Sequence, residues 1–293
     1  MESEFVSING NEFFVRLWGD ASKPKLMLLH GFPEYGGAWE ELAAYLCDDF
    51  YCIAPDLRGF GQSYKPRGVE NYRMSLVVQD VIGLMAHYSP DEPIHLLAHD
   101  WGAAAAYVVA SAVPNMISKL IILNGVHPIP FQAELAKGEA QAKASQYINW
   151  LRREDSADLL AADDFEKLIN LLRQDMDSAW FDDRKAALYK TEWEREYCLE
   201  AMINWYKASP LKVPSLGQVL SDEDMVVIDA QKMRVAMPHL IIWGENDTAL
   251  LVESRNGIFD LADDVRIVEL EAADHWLHHQ QSQKIAAEIR SFI

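Results

Sequence analysis

The sequence predicts an α/β fold, a mostly parallel sheet with helices on both faces and a helical segment inserted late in the chain. Three observations point to it. Short apolar runs of strand length alternate with helical stretches up to residue 127 and again after residue 237. These runs tend to stop at turn-forming or small residues, where a strand gives way to a loop or helix. Between residues 128 and 237 the strand-like runs disappear, and charged segments rich in Trp and Tyr take over. Strands separated by helices of this length pair in parallel and are covered on both faces.

The first strand is expected at residues 25–29, running straight into His30-Gly31-Phe32-Pro33. The next, at 51–54, ends at Pro55-Asp56. A third, at 94–98, is followed at once by a small-residue helix through 103–112. Residues 119–123, 240–243 and 265–270 complete the set. Helical segments of the insertion are expected at 146–151, 165–180 and 192–207. The expected division is therefore a core of residues 1–127 and 238–293, and a helical cap of residues 128–237 lying over the strand ends as a lid. In such sheets active sites gather at the carboxyl ends of the strands.

Half of the residues are apolar and 11% aromatic, which suffices for an extensive core. The net charge is −19, from 45 acidic against 26 basic residues. Such a surface repels nucleic acid and anionic membranes, so neither is expected as a partner. The opening MESEFVSING lacks the basic-then-apolar pattern of a secretory signal. No stretch reaches the roughly 18 apolar residues of a spanning helix. Cys47, Cys52 and Cys198 form no metal-type or redox-type pair, and Cys47 and Cys52 are expected to be ordinary buried thiols. A cytoplasmic monomer or homodimer is the expectation.

The chemistry is concentrated in Ala98-His99-Asp100-Trp101-Gly102. Here a predicted strand turns sharply into a helix, with small residues two before and two after position 100. This resembles the nucleophile elbow of the α/β-hydrolase fold, which exposes one strained side chain above the sheet. The nucleophile position holds Asp rather than Ser. A serine suits acyl transfer, whereas a carboxylate displaces a leaving group at saturated carbon and leaves an alkyl ester on the enzyme. The plainer reading is an Asp that caps the following helix.

An ester of that kind needs a general base to activate water and an acid to orient the base. Ala272-Ala273-Asp274-His275-Trp276 follows the last predicted strand and supplies His275 as base. The neighbouring His278 and His279 are expected on the surface of the succeeding helix. Trp243-Gly244-Glu245-Asn246-Asp247 follows the preceding strand and supplies the acid, with Asp247 favoured over Glu245 by its place in the turn. The order Asp100, Asp247, His275 matches nucleophile, acid and base in this fold. Backbone N–H groups of Phe32 and Trp101 are the expected oxyanion hole.

Together His30-Gly31-Phe32-Pro33-Glu34, Asp56-Leu57-Arg58-Gly59-Phe60-Gly61-Gln62-Ser63 and His99-Asp100-Trp101-Gly102 resemble the α/β-hydrolase-fold epoxide hydrolases. The first two motifs are shared with haloalkane and haloacetate dehalogenases. In the epoxide hydrolases two lid tyrosines hydrogen-bond the epoxide oxygen. Ile203-Asn204-Trp205-Tyr206-Lys207 resembles the segment of one. Ser145-Gln146-Tyr147-Ile148-Asn149-Trp150 resembles that of the other more loosely, with Leu151-Arg152 where relatives often show Phe-Gln. The resemblance thus implies Tyr147 and Tyr206 as ring-opening donors, and Glu34 and His99 in a hydrogen-bonded chain that positions the hydrolytic water. Opening an epoxide creates an alkoxide, which leaves poorly unless a donor of pKa about 10 shares or gives a proton. Trp39, Trp150, Trp180 and Trp205 are expected mainly as packing residues, with one or two touching substrate.

The expected function is epoxide hydrolysis to a vicinal diol through an aspartyl ester, without metal or organic cofactor. The alternative with the same nucleophile is a dehalogenase. A haloalkane enzyme would cradle halide with side-chain N–H donors, and a haloacetate enzyme would place arginines beside Asp100, where Trp101 and Ala104 stand. A non-catalytic ligand receptor of the same fold is the alternative from another class.

Overall fold

The computed structural model describes residues 1–173 and 178–293. The chain opens with a hairpin of β1 (Glu2–Ile8) and β2 (Asn11–Trp18), turning at Asn9-Gly10. Both turn residues take positive φ, as two-residue hairpin turns of this twist require. The sequence predicts no strand here, because Glu2 and Glu4 of the largely exposed β1 interrupt any apolar run.

Then come β3 (Lys25–Leu29), α1 (Glu40–Leu46), β4 (Tyr51–Pro55), α2 (Met74–Tyr88), β5 (Ile94–His99), α3 (Asp100–Ala112) and β6 (Ile117–Leu123). Helices α4 (Pro128–Ala136), α5 (Ala140–Ala144), α6 (Gln146–Leu151), α7 (Ser156–Arg173), α8 (Asp183–Trp193) and α9 (Cys198–Ala208) follow. The chain then returns to the sheet with β7 (His239–Gly244) and β8 (Val265–Leu270), and ends in α10 (Leu277–Gln280) and α11 (Ser282–Phe292).

The strands form one sheet in the order β1-β2-β4-β3-β5-β6-β7-β8. It is antiparallel from β1 to β4 and parallel from β4 to β8. Each strand predicted from the sequence is present, several longer by a residue or two. Alternate residues feed two cores, as the two-residue period of a strand dictates. Leu26 and Leu28 face Trp39, α1 and α11, while Met27 and Leu29 face α2, α3 and the inserted helices.

Two of the expected helices differ in detail. α7 begins at Ser156 and is interrupted at Asp163-Asp164-Phe165, all with positive φ. Residues 174–177 of the expected 165–180 helix lie outside the described residues, and 178–180 are not helical. The expected 192–207 helix is split, since Tyr197 adopts a left-handed conformation and α9 starts after it. Cys52 and Cys198 are buried, but Cys47 is only half-buried, because it sits past the last turn of α1. Among the described residues no helix is long and apolar enough to cross a membrane.

Two indole bonds fasten the inserted helices to core loops. Trp193 of α8 donates to the Pro33 carbonyl at 2.8 Å, and Trp205 of α9 to the Arg58 carbonyl at 2.9 Å. Arg58 is itself gripped by Asp80 of α2 through two hydrogen bonds of 2.6 and 2.8 Å, both side chains buried. Removing one partner of a buried pair leaves an uncompensated charge. Asp80→Ala should therefore lower stability by about 3–5 kcal/mol in a urea unfolding curve; a loss within error of zero would refute this account of how α9 is seated.

Candidate active site

β5 passes into α3 at Asp100, where the backbone jumps from extended at His99 to a φ of 49°. A non-glycine residue in that region is strained and persists only where its surroundings hold it. The clamp is steric. A side chain on Gly102 would collide with the carbonyls of Leu29 and His30, and one on Gly31 with the Asp100 side chain itself. The glycines let β3, β5 and α3 approach closely enough to force Asp100 out over the strand ends.

The Asp100 Oδ1 atom accepts a hydrogen bond of 2.8 Å from the Phe32 backbone N–H. Trp101 contributes one of the N–H groups that the first turn of α3 leaves without an intrahelical acceptor. His275 Nε2 lies 3.8 Å from Asp100 Oδ2, and its Nδ1 lies 2.8 Å from Asp247 Oδ2. A carboxylate only accepts, so Nδ1 directs its proton at Asp247, and Nε2 is turned toward Asp100.

Asp247 is buried and fully engaged. The Ala249 and Leu250 N–H groups each donate to Oδ1 at 2.8 Å, and the Asn124 side chain donates to Oδ2 at 2.6 Å. Burial alone would raise its pKa, but the charge and hydrogen bond of His275, with Asn124, bring it below the usual carboxylate value. Glu245, its rival on sequence grounds, is exposed. Asn124 has no motif of its own and is not identifiable from the sequence; it sits just past β6 at positive φ and braces both Asp247 and the Gly244 N–H.

Tyr147 on α6 and Tyr206 on α9 both line a cavity of about 430 Å³ with Asp100, Phe32 and His275. The two tyrosines and Asp100 also border a second cavity of about 80 Å³. The Tyr206 ring meets Phe32 and Trp101 edge-on at 5.2 and 5.0 Å, and Tyr147 at 6.2 Å. Burial raises the pKa of both hydroxyls, and the Asp100 charge adds to the rise. Of the four tryptophans, Trp150 faces the larger cavity. Trp39 is buried against His278, Trp180 stacks on His279, and Trp205 makes the bond to Arg58.

Glu34 and His99 lie behind His275, in a cluster larger than the sequence suggests. His99 Nε2 is 2.8 Å from the His275 carbonyl, and Nδ1 is 3.4 Å from Glu34 Oε2. His278 and His279, expected at the surface, are buried, because the short α10 turns both rings inward onto the Glu34 carboxylate at 3.1 and 2.8 Å. The Tyr189 hydroxyl adds a fourth contact at 2.8 Å. Burial opposes the Glu34 charge, but these imidazoles carry its pKa well below the usual value. The signal available in the sequence was Glu34 itself: a buried carboxylate demands donors, and two adjacent histidines just past His275 could supply them.

Residues 24–281 match the family described as alpha/beta hydrolase fold. The chain is 30% identical over 283 residues to the AB hydrolase superfamily protein YfhM of Bacillus subtilis, covering 96% of this chain and 94% of that one. It is 25% identical over 298 residues to Epoxide hydrolase 1 of Caenorhabditis elegans, covering 100% and 70%. The solved structure of Bacillus megaterium epoxide hydrolase in complex with an inhibitor is similar with a TM-score of 0.88, at 25% identity and 99% coverage of both chains.

Burial disfavours the His275 cation, but Asp247 and then Asp100 outweigh it and raise the pKa from 6.5 to about 9. A raised value means that the cation is favoured by folding. That contribution is complete below about 6.5, the unfolded value, and is lost as pH climbs through about 9. NMR titration of the ring should place its midpoint near 9. Asp247→Asn should bring it down; a midpoint unmoved by that change would show that another group sets it.

Proposed function

We propose that this chain, which belongs to the α/β hydrolase fold family, hydrolyses epoxides to vicinal diols through a covalent ester on Asp100. The observation that carries the reading is the facing arrangement in one cavity: a carboxylate on a strained elbow, two tyrosine hydroxyls from inserted helices, and a carboxylate-oriented histidine. Phe32 holds Oδ1, so Oδ2 is the free attacking oxygen. It forms a bond to an epoxide carbon while the C–O bond of the ring breaks. Tyr147 and Tyr206 bind the departing oxygen, and one gives it a proton.

In the second step His275 takes a proton from water, and the resulting hydroxide attacks the ester carbonyl. The Phe32 and Trp101 N–H groups hold the developing charge on Oδ1. The tyrosinate has by then taken the Nε2 proton that His275 carries at rest; collapse releases the diol and the Asp100 carboxylate and leaves His275 protonated again. Glu34 and His99 position the water. Every proton is accounted for within the chain's own residues, so the mechanism needs no cofactor.

The walls favour apolar substrates. Trp150, Leu151, Leu168 and Leu171 line the larger cavity, and Val126, Phe131 and Ile148 the smaller. Two apolar cavities that share Asp100 and both tyrosines suit an aryl or alkyl epoxide. Dehalogenation would use the same nucleophile but gives the paired tyrosine hydroxyls nothing to do, because halide leaves unprotonated.

Purified protein should convert styrene oxide to its diol and release no halide from a terminal bromoalkane. Asp100→Asn should abolish turnover, and Tyr206→Phe should lower kcat/KM by about 10²-fold. His275→Gln should accumulate the ester, seen by mass spectrometry as protein plus one intact epoxide. Halide without diol would replace this reading with dehalogenation and return both tyrosines to packing.

A further inference from the structure

We propose that Glu34, His99 and His278 form a buried binding site for a divalent transition-metal ion of the zinc type, behind the catalytic histidine. The starting point is a clash of lone pairs. His99 Nε2 faces the His275 carbonyl at 2.8 Å, and a carbonyl only accepts, so Nε2 carries the proton. Nδ1 of the neutral ring therefore offers a lone pair. It lies 3.4 Å from Glu34 Oε2, inaccessible to solvent and without a hydrogen bond. Two electron-rich atoms facing each other in a buried site repel unless a positive charge sits between them.

The spacing suits a metal. Zinc bonds of about 2.0–2.1 Å in a tetrahedron set ligand atoms about 3.4 Å apart. Oε2 lies 3.4 Å from His99 Nδ1 and 3.1 Å from His278 Nε2, and one ligand atom from each of the three residues falls within 4.8 Å of the others. Two imidazoles and a carboxylate are a zinc-type donor set. The outer contact of His99 fits as well: a metal-bound imidazole characteristically donates its other N–H to a carbonyl, as this ring does. Tyr189 and His279 hold the other Glu34 oxygen, Oε1, each at 2.8 Å, and leave Oε2 for the ion. His279 also reaches Glu41 and Lys185 at 3.3 Å and lines an outer cleft, which offers a way in.

Occupancy would immobilise Glu34 and His99, so the ion should inhibit turnover. The site is independent of the epoxide reading, and its test uses no epoxide. Chelator-treated full-length protein is titrated with zinc chloride by calorimetry, and separately with cobalt(II) chloride by visible absorption. One equivalent of zinc and an intense tetrahedral-type cobalt band are expected. His278→Gln, which can still donate to Glu34, should weaken zinc binding by about tenfold or more. No zinc uptake, a weak octahedral-type cobalt spectrum in the parent protein, or equal zinc affinity in the folded His278→Gln variant would each overturn the proposal. In those cases the positive charge between Glu34 and His99 is a proton.

Discussion

Everything at the site depends on one strained residue. Asp100 is held at a φ of 49° by the close approach of β3 to the start of α3, which Gly31 and Gly102 permit. The strain costs of order 1–3 kcal/mol, and the buried parallel strands on either side absorb it. β5 is paired along its length with β3 and β6, so the elbow cannot relax without disrupting the centre of the sheet. The same approach brings the Phe32 N–H to 2.8 Å from the carboxylate. The strain, exposure and hydrogen bonding of Asp100 thus share one cause.

Around that point three carboxylates are treated differently. Asp247 is saturated, with donors from Asn124, two backbone amides and His275, and serves as a fixed charge. Glu34 is nearly saturated, but one of its neighbours, His99 Nδ1, brings no proton when the ring is neutral. Asp100 has one strong backbone donor and faces a cavity. A carboxylate deprived of donors is reactive, whereas one surrounded by them is structural. The gradation from Asp247 to Asp100 distinguishes the orienting acid from the proposed nucleophile on physical grounds.

The parts of this arrangement legible in the sequence are those that local chemistry dictates. The apolar runs at 25–29 and 94–98 had to be buried strands, and the small residues around Asp100 had to mark a tight turn. Asp247 and His275 follow strands, so their loops open on the same edge of the sheet. Less legible were features created by distant contacts. The β1–β2 hairpin owes its place in the sheet to pairing with β4, which no local motif announces. Asn124 becomes important only because β6 and β7 are neighbours. His278 and His279 look like surface residues on a short polar helix until Glu34, 244 and 245 positions away, is placed beneath them. The break at Tyr197 follows from a left-handed residue that no glycine announces.

The two carboxylates on either side of His275 also give the proposed reaction its order. While Asp100 is ionised, its charge and that of Asp247 together hold the imidazole pKa up to about 9, so the ring is a reluctant donor and stays largely cationic near neutral pH. A cation 3.8 Å from Oδ2 tempers the nucleophile but does not quench it, because the separation is too long for a charge-assisted hydrogen bond. Ester formation removes the Asp100 charge. Asp247, with a smaller contribution from Asp274, is then left to oppose burial, and the pKa falls. The ring gives its Nε2 proton to the tyrosinate, and Nε2 becomes available to take a proton from water. The base is thus released by the event that creates its substrate, and water activation before alkylation is suppressed. Saturating Asp247 with donors serves the same end, since a fixed second charge leaves Asp100 as the variable that sets the state of His275.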